Sequence, residues 1–222
     1  MKFPSIEKFP VYNERYDVGR SLYLLKGYEY SGINPSTGAY TYVDQNGDKV
    51  LSSPQDFIGL VRQTQNFFGG LSNTLRYRSL QLDVFFQFVQ QTGASYTKSF
   101  ERPGRLTNQP SSVMDRWRSP GDNALVQRFS TTTSDASTAY ANFTSSDASV
   151  VDASFIRLKN AALSFQLPAS WLQRAHFNSG RVFINGQNLL TFTNYVGLDP
   201  ETLISQTLPP LRILTAGFQF TL

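Results

Sequence analysis

The stretch LQLDVFFQFVQQ, residues 80–91, carries the clearest structural signal in the chain. In it, one set of side chains alternates with another: Leu80, Leu82, Val84, Phe86 and Phe88 against Gln81, Asp83, Phe85, Gln87 and Val89. A period of two predicts a β-strand, and about ten residues is the length at which a tilted strand crosses a bilayer. The preceding GGLSNTLRY, residues 69–77, also alternates, and only Arg78 and Ser79 separate the two stretches. The pair is therefore predicted to form a hairpin with a very tight turn.

Four further segments are predicted to contain strands: part of 19–32, then 154–166, 181–192 and 212–222. The last of these ends in TAGFQFTL, residues 215–222, which places two phenylalanines and the final leucine on one side. A carboxyl terminus is usually frayed and exposed. An apolar terminal strand therefore predicts that this segment is paired and faces either a protein core or lipid.

Two local irregularities are expected in the second half of the chain. In 154–166, Ile156 and Leu158 are out of phase with Leu163. This offset predicts either a bulge near Lys159–Asn160 or a strand whose first part leaves the apolar layer. Between the next two strands, Pro168 followed by Ser170 as N-cap predicts one or two helical turns. The register of the strand in 181–192, which is apolar on both faces in places, stays open.

The predicted connections alternate between long and short. The long ones are about 31–65, 92–152 and 194–211, whereas 78–79 and 167–180 are shorter. A compact soluble domain rarely contains a structureless loop as long as 92–152. Outer-membrane barrels have long outer loops and short periplasmic turns. If the carboxyl terminus lies on the periplasmic side, all three long loops are expected outside the cell.

The composition argues against several functional classes. The chain has no cysteine and a single histidine, His176, in a polar turn. No thiolate zinc site is therefore possible, and without a G-x-S-x-G elbow a hydrolase triad has little support. The 20 basic residues are scattered, unlike the clustered footprint of a nucleic-acid-binding protein. We expect no enzyme activity, no cofactor and no nucleic-acid partner.

The stretch DQNGD is the only metal-like motif in the sequence. Asp44, Asn46 and Asp48 occupy alternate positions, as at the start of a calcium loop. Gly47 precedes Asp48 and does not follow it, and no later glutamate completes the ligand set. Since Asn46-Gly47 is also a strong hairpin-turn signal, a turn is favoured over a calcium site.

The stretch DRWRSPGD, residues 115–122, lies in the longest predicted loop. Trp117 between Arg116 and Arg118 suits stacking on a sugar ring with hydrogen bonds to its hydroxyls. Aromatic residues in large ordered loops more often pack. We therefore favour a structural anchor at Trp117, with ligand contact as the alternative.

Several longer stretches resemble the C-terminal end of the SusC/RagA family of TonB-linked outer-membrane proteins. The most specific are DASFIRLKNAALSFQLPASWL (152–172), RVFINGQNLLTFTNYVGLDPE (181–201) and the terminal GFQFTL. Further matches are VGRSLYLLKGYEYSGINPSTGAYTYVDQNGD (18–48), FFGGLSNTLRYRSLQLDVFFQF (67–88) and DRWRSPGD. Two positions depart from the family pattern: Leu222 stands where a final Phe is usual, and Lys49 stands where D-x-N-G-D-G has its last Gly.

The resemblance implies an all-β fold, an antiparallel transmembrane barrel segment of about six strands with long extracellular loops. It implies that residues 1–222 form the C-terminal portion of a TonB-dependent receptor, without the plug domain and N-terminal strands. The implied function is import of oligosaccharides or peptides across the outer membrane of a Gram-negative bacterium. The implied partners are a SusD-like surface lipoprotein, which closes the barrel as a lid, TonB through the missing N-terminal part, and outer-membrane lipid.

Within the predicted outer loops, we expect cargo or lid contacts at Arg116, Trp117, Tyr140 and Tyr195, because aromatic and arginine side chains dominate interface energetics. The alternative function is that of a soluble β-sandwich that binds carbohydrate. A sandwich shares the period-two alternation, so alternation alone does not separate the two. Loop asymmetry favours the barrel.

Overall fold

The computed structural model describes residues 10–13, 16–59, 65–174, 176–203 and 207–222. Parts of two predicted outer loops, residues 60–64 and 204–206, lie outside the described residues. The chain divides into two compact units. The sheet unit comprises residues 65–91, 153–202 and 206–222, and the loop unit comprises residues 1–64, 92–152 and 203–205.

The sheet unit is built on five long strands: β5 (Gln65–Tyr77), β6 (Leu80–Ala94), β8 (Phe155–Gln166), β9 (Ser179–Thr193) and β10 (Ile213–Thr221). They form an antiparallel meander in the order β10-β9-β8-β6-β5. The predicted hairpin is confirmed, since Tyr77 pairs with Leu80 across the two residues Arg78 and Ser79. Arg78 adopts a φ of 53°, in the left-handed region that such tight turns use.

Two bulges keep the apolar residues of the central strands on one face. Leu158 and Asn160 of β8 pair with the consecutive residues Phe86 and Phe85, so Lys159 is the extra residue. The bulge predicted near Lys159–Asn160 is therefore confirmed. It brings Leu158 into the same layer as the apolar residues that follow it, because one inserted residue reverses the alternation.

The second bulge settles the register of β9, which the sequence left open. Leu190 pairs with Leu158 and Gln187 with Asn160, so β9 has one more residue than β8 in this interval. Asn188 takes a φ of 52° there, and its side-chain amide donates to the carbonyl oxygen of Leu211 at 3.0 Å. The bulge returns Leu190 to the apolar side.

The turn between β8 and β9 contains the predicted short helix, α3, at Ala169–Arg174. With Ser170 as N-cap the helix would begin at Trp171, but it begins two residues earlier, at Ala169, so the assignment of Ser170 as N-cap was wrong. The carbonyl oxygen of Pro168 accepts from the backbone N–H of Trp171 and Leu172, which places Ser170 inside the first turn. Among the described residues, no helix is long and apolar enough to span a membrane.

The loop unit contains short elements: the helices α1 (Pro10–Asn13) and α2 (Asp135–Phe143), and the strands β1 (Lys26–Tyr28), β2 (Tyr30–Ile33), β3 (Tyr40–Tyr42), β4 (Phe57–Gly59) and β7 (Val150–Asp152). Strand β1 pairs with β4 and β2 with β3, while β7 pairs with the last residues of β6. The strand predicted within 19–32 is therefore not a sixth long strand of the sheet. The stretch 92–152 is also not structureless, since it holds α2, β7 and three 3₁₀ turns at Tyr96–Ser99, Ser111–Asp115 and Asp147–Ser149.

The core of the loop unit consists of aromatic residues and alanines. Ala39 and Tyr40 of the β2–β3 region pack against Ala136, Ala139 and Phe143 of α2. Ser134 caps α2 through a capping box with Ser137, which satisfies backbone donors at the start of the helix. Residues about 100 positions apart in sequence thus form one core.

Candidate functional site

The most extensive feature of the sheet unit is an exposed apolar face. One row of cross-strand partners runs through Leu75, Leu82, Leu163, Ile184 and Ala216. The apolar face also includes Phe67, Leu71, Tyr77, Leu80, Val84, Phe86, Phe88, Ile156, Leu158, Ala161, Phe165, Val182, Leu190, Phe192, Leu214, Phe218 and Phe220. Leu75 is 58% exposed and Ile184 56%. A contiguous exposed apolar patch on this scale marks contact with lipid or another protein.

The opposite face of the sheet is polar. Thr74 donates to one carboxylate oxygen of Asp83 at 2.6 Å, and the Gln81 amide donates to the other at 2.8 Å. Arg76 Nε donates in turn to Gln81 Oε1 at 2.9 Å. Strands of transmembrane barrels show this inverted arrangement, with a lipid-compatible exterior and a polar interior.

Near one end of the polar face, Arg157 of β8 organises a buried ionic network. Its side chain is 1% exposed, and all three nitrogen positions have partners. Nε donates to Thr191 Oγ1 at 2.9 Å, Nη1 to Glu201 Oε2 at 2.6 Å and Nη2 to Asp199 Oδ2 at 2.6 Å. Lys159 also contacts Glu201, so two cations face two carboxylates.

A second attachment holds the same segment, 194–202, against the sheet. The buried amide of Gln91 donates to the carbonyl oxygen of Pro200 at 2.6 Å and to that of Ala153 at 3.3 Å. The backbone N–H of Glu201 donates to Asp199, which orients both acidic residues. Segment 194–202 is thus fixed at two points by side chains of β6 and β8.

The loop unit contains an apolar cavity of about 350 Å³. Its wall includes Tyr30, Tyr40, Tyr140 and Phe143, with the Tyr40 and Phe143 rings stacked 5.0 Å apart. Burial raises the pKa of Tyr30 to about 12 and that of Tyr140 to about 12, so both phenols are neutral at physiological pH. Tyr140 Oη donates to the carbonyl oxygen of Phe100 at 2.9 Å, which fixes its ring in the wall. Cavities of this size and composition take small ligands or single side chains.

A smaller and more polar cavity of about 260 Å³ shares Glu101 and Tyr140 with the apolar one. Its wall adds Arg102 and Arg105. Arg105 Nε pairs with Glu101 at 3.0 Å, and Arg102 Nε donates to the carbonyl oxygen of Ser130 at 3.0 Å. The two arginines exceed the one carboxylate, so this cavity carries a net positive charge.

Known proteins match the chain over most of its length. It is 28% identical over 201 residues to TonB-dependent receptor P3 of Formosa agariphila, covering 82% of the chain and 19% of that protein. It is 26% identical over 209 residues to TonB-dependent receptor P26 of the same organism, covering 85% of the chain and 20% of that protein. No family model matches the chain. The chain therefore spans about a fifth of the length of the curated relatives it matches.

Solved structures also match the chain over most of its length. The RagAB peptide importer in its open-open state superposes with a TM-score of 0.70 at 24% identity, over 89% of this chain and 22% of that one. Its closed-closed state gives a TM-score of 0.70 at 25% identity, over 88% and 22%. These matches confirm the SusC/RagA resemblance. The sheet unit is accordingly a partial β-barrel segment like that of TonB-dependent transporters.

Two of the four contact residues predicted for this SusC/RagA-type segment are buried. Trp117 is 9% exposed, its backbone N–H donates to Val126, and its ring lies directly over Gly38. Tyr195 is also 9% exposed and packs over Gly197. Both have the geometry of anchors, which is the interpretation favoured for Trp117 from sequence.

The other two predicted residues are partly accessible. The Arg116 guanidinium lies 3.8 Å from the centroid of the Phe129 ring, a cation–π contact. Tyr140 lines both cavities. Of the four, Tyr140 alone lines a described cavity that could hold a ligand.

The DQNGD motif forms a turn that uses its own oxygens. The two carboxylate oxygens of Asp44 accept from the backbone N–H of Gly47 and Lys49, both at 2.7 Å. Asn46 Oδ1 accepts from the N–H of Asp48, and Asp48 accepts from that of Val50. The turn does not join two paired strands, because β3 pairs with β2, so the hairpin implied by Asn46-Gly47 was wrong.

Sequence reasoning missed the Arg157 network and the aromatic cavity. Arg157 had one available signal, a charged residue between the apolar Ile156 and Leu158, and Asp199-Pro200-Glu201 offered acidic partners. No sequence signal pointed to the aromatic cavity, because its residues Tyr30, Tyr40 and Phe143 come from segments far apart in sequence.

Proposed function

We propose that the chain forms the C-terminal part of the barrel of an outer-membrane nutrient importer in a Gram-negative bacterium. The observation that carries this proposal is the exposed apolar face of the five-stranded sheet. On β5 this face runs from Gly69 to Tyr77, and the eight steps between these residues rise about 27 Å along an antiparallel strand. At a tilt of about 40° this is about 21 Å along the membrane normal, close to the roughly 25 Å apolar band of outer-membrane barrels.

The same proposal assigns the chain to a longer barrel. Five long strands are fewer than the eight of the smallest single-chain outer-membrane barrels. The edges of β5 and β10 would then pair with strands outside this chain, since an open sheet edge is not viable in hydrocarbon. The plug domain and the contact with TonB belong to the remainder of that receptor.

The proposed partner is a SusD-like surface lipoprotein, and the cargo is an oligosaccharide or a peptide that is bound and moved without covalent chemistry. Support comes from the solved structures that match the chain, which are of the RagAB peptide importer. Within the loop unit, Arg116 and Tyr140 are the proposed contacts. Trp117 would support such a surface from below, because its ring is buried.

The alternative, a soluble β-sandwich that binds carbohydrate, requires a second sheet over the apolar face. Within the described part of the chain the face is not covered, since Leu163, Ile184 and Phe218 are 45%, 56% and 72% exposed. This exposure disfavours the sandwich.

The test is fractionation and uptake in a Gram-negative host that produces the receptor containing this chain. We expect it in the outer-membrane fraction, released by detergent and not by high salt, with uptake of labelled peptide or oligosaccharide that requires an energised TonB system. Recovery of the 222-residue chain as a monodisperse, water-soluble monomer would contradict the proposal and favour the sandwich. Outer-membrane location with uptake independent of TonB would contradict the importer alone.

A further inference from the structure

We propose that the two adjoining cavities of the loop unit form one binding site for a small carboxylate that carries an apolar group. This site lies outside the sheet and does not depend on which cargo the receptor carries. The apolar cavity would hold the apolar group, and the arginine cavity would hold the carboxylate.

The apolar cavity determines the first half of the ligand. Rings of Tyr30, Tyr40 and Phe143 and the side chain of Val113 dominate its wall. Sugar sites combine aromatic rings with several convergent polar groups for the hydroxyls. This wall supplies few such groups, and the Tyr140 hydroxyl is already bonded to the Thr97 and Phe100 carbonyls. An aliphatic or aromatic group of one ring is the better fit to about 350 Å³.

The arginine cavity determines the second half. Arg102 and Arg105 line it, and each uses Nε for a protein partner. Arg105 then has both terminal nitrogens left for a ligand, and Arg102 has Nη1. A guanidinium binds carboxylate through paired N–H donors, a geometry that an uncharged amide does not match.

The residues that the two cavities share indicate how the apolar group and the carboxylate of the ligand are arranged. Glu101 and Tyr140 belong to both walls, so the two cavities lie next to each other on either side of these residues. Glu101 pairs with Arg105 and repels a second carboxylate from the apolar side, which favours a ligand with one acidic end. N-acetyl-L-phenylalanine has this chemistry and serves as the probe.

The experiment measures binding of N-acetyl-L-phenylalanine to the receptor that contains this chain. The receptor is held in lipid nanodiscs, binding is followed by isothermal titration calorimetry, and empty nanodiscs serve as blank. The neutral isostere, N-acetyl-L-phenylalaninamide, is measured in parallel. We expect the acid to bind about tenfold more tightly than the amide, because the charge-assisted pair is lost. Partition into lipid favours the amide and so cannot produce this difference.

Three variants separate the site from general charge effects. Arg105→Gln is expected to lower affinity for the acid about tenfold and leave the amide unchanged. Arg118→Gln removes the same charge from an exposed arginine outside both cavities and should change neither. Leu125→Asp places a charge at the exposed rim of the apolar cavity and should weaken both probes.

These measurements can either support the proposed binding site or overturn it. Tighter binding of the acid that Arg105→Gln abolishes and Arg118→Gln retains supports the site. Absence of binding by the folded chain, equal affinities for acid and amide, or equal effects of the two arginine variants would overturn it. Circular dichroism of each variant verifies that its fold is retained.

Discussion

Arg157 and Asp199 form a buried ion pair in which Nη2 and Oδ2 are 2.6 Å apart. The two side chains are 1% and 9% exposed, and they join strand β8 to segment 194–202. Glu201 completes the pairing from a more accessible position, with 34% of its side chain exposed.

We expect Asp199→Ala to lower the free energy of unfolding by about 3–5 kcal/mol, because it leaves the buried Arg157 charge without its buried partner. Urea-induced unfolding in detergent, followed by circular dichroism, measures the change. Glu201→Gln serves as the control. It should cost about 1 kcal/mol or less, since a partly exposed pair is screened by solvent. Equal costs for the two variants would show that burial does not govern this network.

We expect Leu163→Arg to block insertion of the sheet into lipid. Leu163 lies on the apolar face, and an arginine on the lipid side of a barrel costs about 2–4 kcal/mol near the bilayer midplane. Folding of the receptor that contains this chain into lipid vesicles, measured by protease protection, should fall accordingly.

Ser164→Arg is the matched control on the adjacent residue of β8, because Ser164 pairs with Gln81 on the polar face. It should insert like the unmodified chain. If Ser164→Arg blocks insertion and Leu163→Arg does not, the two faces are assigned the wrong way round.

Membrane topology can be tested with single cysteines, since the chain has none of its own. The predicted outer loop 92–152 contains the exposed residue Thr133, and the predicted periplasmic turn 78–79 contains the exposed residue Ser79. In intact cells that produce the receptor, we expect Thr133→Cys to react with an impermeant thiol reagent and Ser79→Cys to be silent. Ser79→Cys should react once the outer membrane is permeabilised. Labelling in the opposite order would invert the topology.

Gly38 and Trp117 provide a test of the anchor. A Cβ at Gly38 would lie 2.2 Å from the Trp117 ring, and Gly38 also has a φ of 69°. We expect Gly38→Ala to displace the indole and to lower the free energy of unfolding by more than about 3 kcal/mol, because steric overlap adds to backbone strain. Trp117 fluorescence in a Trp171→Phe background measures the displacement.

Gly47→Ala isolates the backbone contribution to that cost. Gly47 has a φ of 77°, but a Cβ there would meet nothing within 4 Å. Its cost should stay near the roughly 1–2 kcal/mol of a left-handed alanine. A Gly38→Ala cost no larger than this would mean that the Trp117 ring moves freely and is not an anchor.

The carboxyl group of Asp56 is expected to make the stability of the loop unit depend on pH. Hydrogen bonds from the backbone N–H groups of Ser52, Gln45 and Asn46 lower the pKa of this buried carboxyl. Because the folded-state pKa lies below the unfolded value of about 3.9, its stabilising effect is present above about pH 4 and is lost as the pH falls through the folded-state pKa.

The measurement for Asp56 is thermal unfolding between pH 6 and pH 3. Asp56→Asn should unfold at a lower temperature than the unmodified chain at pH 6, and the difference should shrink towards pH 3. Asp115→Asn removes the same charge from an exposed site and should show no such convergence. A difference that stays constant over this range would exclude Asp56 as the titrating group.

The sequence by itself determined the strands of the sheet and their faces. The alternation in 80–91 and the two-residue separation at Arg78 and Ser79 fix the hairpin, because side chains of a strand repeat every two residues. The phase break at Lys159 predicts a bulge for the same reason. These signals are local in sequence, so they can be interpreted without knowing which distant segments pack against the strands.

Only the tertiary structure decided what the long loops contain and which residues form sites in them. Polar composition made 92–152 read as structureless, yet it folds by packing α2 against Tyr40, over 90 residues away in sequence. Trp117 is buried because its ring covers Gly38, a residue far away in sequence. Arg157 likewise became a buried cation only when segment 194–202 brought Asp199 and Glu201 to it. Such contacts depend on which distant segments pack together, and the periodicity of residues along the chain does not indicate this.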